Sequence, residues 1–223
     1  MKMTRTLLLL ISLSQAASAA TTITAEADTY LWQGNGDTNY GSSATLGSTN
    51  DGGSAQSKTK DQIALIRFNI SSLTHPVSGA SLDLEYLSSE AYSFEVYGIN
   101  DGTGDEAFIE STLTFNSSDT GTTSTEGSIN STNLTLLGNF DVTGAGAVNF
   151  SSAGLDSFLN ADSNDLATFV IYRTSQSGSY TSFASREHAT AAASTLSVIP
   201  EPSSLITLLS AGSLLSLRRR RAC

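Results

Sequence analysis

Between positions 80 and 87 the chain alternates with a period of two. Ala80, Leu82, Leu84 and Tyr86 fall on one side, and Ser81, Asp83, Glu85 and Leu87 on the other. Side chains point alternately to the two faces of a β-strand, so this pattern predicts a strand with one face buried and one in water. A helix would scatter the apolar residues around its axis. The stretch 62–70 is apolar on both faces apart from Arg67, which predicts a central strand. Further strands are expected over 22–32 (with Ile23, Ala25 and Ala27 on one face), 93–99, 134–142, 168–173 and 195–199. One helix is expected, with Ser152 as its cap and Leu155, Phe158 and Leu159 at helical spacing.

Many short strands, polar connections and one short helix predict an all-β fold, an antiparallel β-sandwich whose terminal strands pair. The segment 117–132 is almost entirely Ser, Thr, Gly, Asn and acid and is expected to be a loop. Five N-x-[ST] strings, starting at Asn69, Asn116, Asn130, Asn133 and Asn149, follow from the same compositional bias.

Both ends of the chain are patterned differently from its middle. Lys2 and Arg5 precede an apolar run from Leu7 to Leu13, and Ala16, Ala17, Ser18, Ala19 and Ala20 close it, the pattern of a secretory signal peptide over 1–20. At the other end stand Pro200, Glu201 and Pro202, an apolar segment over 205–217, and Arg218, Arg219, Arg220 and Arg221. The apolar segment is shorter than the roughly 20 residues that span a bilayer, and the basic cluster resists translocation. Residues 21–199 are left as one domain. The formal net charge of the chain is −10, and the domain keeps only Lys58, Lys60, Arg67, Arg173 and Arg186 as cations. Such a surface repels nucleic acid and anionic lipid. The single cysteine, Cys223, lies beyond the basic cluster, so no disulfide staples the domain.

Nucleophilic catalysis finds no support. The two histidines, His75 and His188, lack partner motifs, no G-x-S-x-G elbow exists, and zinc has no ligand set. Asp101, Asp105, Glu106 and Glu110 crowd one segment and could in principle supply a carboxylate pair for glycoside hydrolysis, but they read first as an acidic loop. Asp28, Asp37, Asn50 and Asp51 offer oxygens near strand starts to a structural calcium ion. Sugar binding calls for exposed aromatic faces, and Trp32, Tyr40, Tyr97 and Tyr180 are the candidates. Arg67, a cation on an apolar strand, needs an anionic partner, which Glu187 or Asp28 could supply. Arg186 and Glu187 read as architectural in the same way.

Two resemblances add to this. The Pro-Glu-Pro string, short apolar helix and Arg cluster together resemble the PEP-CTERM sorting tail of Gram-negative bacteria. That resemblance implies processing by a membrane exosortase, a temporary membrane anchor over 205–217, and a final place at the cell surface or in an exopolysaccharide matrix. Within the domain, Ala27-Asp28-Thr29-Tyr30, Asn39-Tyr40-Gly41, Ile66-Arg67-Phe68-Asn69, Glu110 to Asn116 and Ser185-Arg186-Glu187 occur in the order seen in the DNRLRE-type domain. This resemblance implies a jelly-roll carbohydrate-binding module. Phe108 and Phe115 stand where related sequences tend to carry tryptophan, and Lys60-Asp61-Gln62 replaces an Asn-Arg string. The expectation is an exported, non-catalytic protein that binds carbohydrate without a cofactor; the alternatives are an envelope or biofilm protein with a structural role alone and, should a cleft pair two carboxylates, a secreted glycan-active enzyme.

Overall fold

The computed structural model describes residues 19–52, 61–73, 76–121 and 129–200. The signal peptide apart from Ala19 and Ala20, Lys58, Lys60, His75 and the tail from Glu201 to Cys223 lie outside the described residues. Eleven strands and one helix follow in order: β1 Thr21–Thr24, β2 Ala27–Trp32, β3 Thr45–Gly47, β4 Gln62–Asn69, β5 Val77–Tyr86, β6 Tyr92–Ile99, β7 Leu134–Val142, β8 Gly146–Ser151, α1 Ala153–Ala161, β9 Leu166–Arg173, β10 Ser182–Ala184 and β11 Thr195–Pro200. They form two sheets in which every pairing is antiparallel. One is five-stranded, in the order β2-β4-β9-β6-β7. The other has six strands, β1-β11-β5-β10-β3 with β8 on β5. No helix among the described residues is long and apolar enough to cross a membrane.

The expected central strand is β4, flanked by β2 and β9. Ala64, Ile66 and Phe68 point between the sheets, where they meet Leu82, Phe94, Phe169, Phe183 and Leu196. Ile63 and Leu65 point the other way, into a second core with Leu31, Val170, Phe108, Leu113 and Ile129. The five-stranded sheet is therefore buried on both faces, which is why β4 is apolar throughout. Its outer cover is the segment 100–121 together with the residues from Ile129 onward, rather than a free acidic loop. Asp105 and Glu106 are buried within it and organise the turns. Asp105 accepts from the Thr120 amide at 2.8 Å, and Glu106 from the Gly102 amide at 2.6 Å.

The expected first strand is two strands. The Ala25 amide donates to Ser194 beside β11 at 3.1 Å, and the next amide, Glu26, donates to Arg67 in β4 at 2.9 Å. Consecutive residues thus bond to opposite sheets, and Ala25 and Ala27 enter different cores. Alternation alone does not reveal this crossing, because both halves keep a buried face. The termini of the domain do pair, Thr21 opposite Val198.

The helix forms as its sequence predicts. Ser152 Oγ accepts from the Leu155 amide at 3.0 Å and donates to the Leu137 carbonyl at 2.7 Å. Leu155, Phe158 and Leu159 are buried. On its polar side Asn160 grips both the amide and the carbonyl of Val77, and Asp156 takes the amides of Gly79 and Ala80. Helix side chains thus satisfy the stretch of β5 that β8 leaves unpaired.

Candidate functional site

Tyr30 and Trp32 lie two residues apart on β2 and so share a face. The connection from β2 to β3 turns through a short 3₁₀ segment, Gln33–Asn35, and brings Tyr40 back over Tyr30. The two rings stack with centroids 4.3 Å apart and 23° between planes. Trp32 is 5.9 Å from Tyr40, and Tyr180 meets Trp32 edge-on at 6.2 Å and 86°. Four aromatic rings from three chain segments therefore form one cluster. Tyr30, Trp32 and Tyr40 are half-buried, and Tyr180 is 50% exposed.

Polar groups surround it. Asn35 Nδ2 donates to the Tyr40 hydroxyl at 3.0 Å, and Asn116 Nδ2 meets Asp37 Oδ1 at 2.8 Å nearby in the same loop layer. The Tyr30 hydroxyl is pushed up to about 12, first by burial and then by Tyr40. It therefore stays a neutral donor and acceptor at ordinary pH. The support beneath is rigid. Asn39 Nδ2 donates to the carbonyls of Glu110 and Leu113, each at 2.7 Å, and its Oδ1 accepts from the Gly41 amide at 3.2 Å.

Of the expected sugar-facing residues, Trp32, Tyr40 and Tyr180 come together and Tyr97 does not. Tyr97 lies on β6, three strands from β2 in the sheet order and so roughly 14 Å away. It packs against the outer core and donates to Glu95 Oε2 at 2.5 Å, and burial and Glu95 raise its pKa. Tyr30 was missed, although its position two residues before Trp32 on a strand is the signal that could have placed it.

The charged residues also sort differently from expectation. Arg67 pairs with Glu26 at 2.8 Å, not with Asp28 or Glu187, because Glu26 sits just where the chain passes from one sheet to the other, beside the end of β4. Its Nη1 donates to the Phe108 carbonyl, and its guanidinium lies 5.2 Å from the Phe108 ring centre. Asp28 is 1% exposed. Its Oδ2 accepts from the Arg186 amide at 2.9 Å, and its own amide donates to Glu110 Oε1 at 2.8 Å. Arg186 Nη2 stands 3.3 Å from both Glu110 and Glu187, and its Nη1 donates to the Glu26 carbonyl. Burial first, then Glu187 and Glu110, push the Asp28 carboxyl up to about 7 against the opposing Arg186 amide. The strings around Asp28, Asn39, Gly41, Arg67, Glu110 and Arg186 thus meet in one node beside the aromatic cluster.

Asp28, Asp37, Asn50 and Asp51 are not gathered as a calcium set. Asp37 meets Asn116, Asn50 meets Tyr172 at 3.1 Å, and the Asp51 amide donates to Asp61. Asp101, Asp105 and Glu106 fasten loops, Asp101 by accepting from Ser163 at 2.6 Å. His188 Nδ1 accepts from the Ala191 amide at 2.8 Å, closing a turn.

Two packed antiparallel sheets, with a half-exposed aromatic cluster held at one edge, define a β-sandwich module. The chain belongs to carbohydrate-binding module family 96, whose family model matches residues 19–199. Such families are non-catalytic in general and bind carbohydrate. No curated protein matches the chain.

Proposed function

We propose that this protein is an exported, non-catalytic glycan-binding protein of the cell surface or extracellular matrix, and that Tyr30, Trp32, Tyr40 and Tyr180 form its sugar-binding face. The stacked, half-exposed aromatic cluster carries this reading. The C–H face of a pyranose packs on an aromatic ring, while its hydroxyls need nearby donors and acceptors, which Asn35 and the tyrosine hydroxyls provide. A purely structural envelope or biofilm role is the alternative, and glycan binding separates the two.

The test is a glycan array followed by titration of the strongest ligand. Trp32→Ala should weaken binding by about thirty-fold, equivalent to about 2 kcal/mol for loss of an aromatic anchor. Tyr180→Ala, at an exposed loop position, should weaken it without moving the unfolding midpoint. Tyr97→Phe should bind as the parent does. Parent-like binding by both Trp32→Ala and Tyr180→Ala would move the site elsewhere.

The same proposal covers sorting. Pro200, Glu201 and Pro202 form the recognition element for an exosortase-type enzyme. Residues 205–217 hold the chain briefly in the inner membrane, and Arg218 to Arg221 stay on the cytoplasmic side. Proline lacks an amide donor and restricts its neighbour, which suits Pro200 to its place as the last residue of β11 and puts the Pro-Glu-Pro string at the edge of the folded domain. Intact mass of protein recovered from the host's surface or medium should show loss of Arg218 to Cys223. A mature product that retains them refutes the sorting step.

A further inference from the structure

Among the described residues, the Asp28 node is short of positive charge. Asp28, Glu110 and Glu187 each place a carboxylate oxygen so that all three lie within 4.8 Å of one another. Within that triangle one cation, Arg186, touches Glu110 and Glu187 at 3.3 Å each and gives Asp28 only its backbone amide. Arg67 is engaged by Glu26. Asp28 is 99% buried, and while its Oδ2 takes the Arg186 amide, its Oδ1 is shut from water with no hydrogen-bond partner. A buried carboxylate that lies beside two further carboxylates and has one oxygen bonded to nothing is costly, and native folds normally satisfy such groups.

We propose that Asp28, Glu110 and Glu187 bind a calcium ion, with Asp28 Oδ1 as its buried ligand. All three donors are hard anionic oxygens, and neither histidine nor cysteine joins them, which selects calcium over zinc. Calcium takes roughly six to eight oxygens. The Glu110 and Glu187 side chains are 24% and 30% exposed, so the site is open to water that completes the shell. The ion ties together the start of β2, the outer cover and the segment leading to β11. These three parts of the chain also flank the loop that carries Tyr40, so calcium steadies the aromatic cluster without touching sugar.

A second acidic group, Asp101, Glu106 and Asp162, provides the internal comparison. There Asp162 Oδ2 also lacks a partner, but Asp162 is only partly buried, and the one buried member, Glu106, has both oxygens taken by Gly102 and Asn164, while Ser163 donates to Asp101 and Asp165 to Asp162 Oδ1.

The full chain, stripped with chelator, is titrated with calcium chloride while its melting temperature is followed, and terbium luminescence reports occupancy directly. Calcium should raise the melting temperature by several degrees, with half of the effect below about 1 mM. Asp28→Asn and Glu187→Gln should each abolish the shift, and Asp101→Asn should keep it. Glu187→Gln alters a partly exposed residue and decides the matter if Asp28→Asn does not fold. Absence of any calcium-dependent shift in the parent overturns the proposal. So does a shift that survives Glu187→Gln, or one that Asp101→Asn removes.

Discussion

Replacing Arg173 with methionine should destabilise the protein by about 3–5 kcal/mol, the range for removing one member of a buried charged network. Arg173 ends β9 and is fully buried. Its Nη1 donates to the Ser179 carbonyl at 2.8 Å, and its Nη2 to the carbonyls of Asn50, at 2.6 Å, and Ser177. The Tyr92 ring lies 4.4 Å from its Cζ. Burial lowers its pKa, opposed by Tyr92, Tyr86, Asp61 and Asp51, and the guanidinium stays charged. Methionine fills much of the volume but removes the donor to the Ser177 and Ser179 carbonyls and one of the two donors to the buried Asn50 carbonyl, which keeps the Ser177 amide at 2.8 Å; each buried group left without a donor costs about 1–3 kcal/mol. The loop from residue 174 to residue 181 is wound around this side chain and carries Tyr180, so its exposed end should also become a protease target. Urea denaturation measures the stability loss, and limited proteolysis locates it. Arg173→Lys should fall between parent and methionine variant, because an ammonium keeps the charge but cannot present the planar fork to several carbonyls. A methionine variant with an unchanged urea midpoint would show that the loop is held by other contacts.

Arg173 illustrates what the sequence conceals. As the last residue of an apolar strand it looks like an exposed terminus, and only the fold wraps the following loop over it. The strands with one dry and one wet face were legible, since period two survives wherever a single core sets the pattern, as in β5. The double apolarity of β4 was legible too, but its cause was not. The outer cover contributes isolated apolar residues, Phe108, Leu113 and Ile129, with no period, and its acids are internal scaffolding rather than solvated charge. Three-residue strands such as β3 and β10 are too short to show alternation. The aromatic cluster was half legible. Trp32, Tyr40 and Tyr180 are separated by up to 148 positions (180 minus 32), so residue type nominated them while topology brought them together. Tyr97 satisfied the same criterion and was placed elsewhere by strand order.

Gly41→Ala should be more damaging than its single methyl group suggests, with an expected loss of about 3 kcal/mol or more, at the severe end for one substitution. An alanine Cβ at this position would stand 2.1 Å from the Glu110 carbonyl oxygen and 2.7 Å from its carbon, far inside the roughly 3.5 Å of carbon contact. The obstacle is backbone and cannot rotate away. It is also held in place, since Asn39 Nδ2 donates to that same carbonyl and to Leu113, both at 2.7 Å. Relief therefore requires the loop to separate from the outer cover. Separation lifts Tyr40 from Tyr30, and it moves Glu110 away from the Asp28 amide and Arg186. Glycan affinity and calcium response should consequently fall together in this variant, whereas Trp32→Ala should lower the first and leave the second. Asn39→Ala, which removes three side-chain hydrogen bonds without a clash, should lose about 1–3 kcal/mol. Chemical denaturation of the three proteins in calcium gives the order directly: parent, Asn39→Ala, Gly41→Ala. A Gly41→Ala protein as stable as the parent would mean that the loop and the cover are not tightly joined, and that the aromatic cluster and the acidic node act independently.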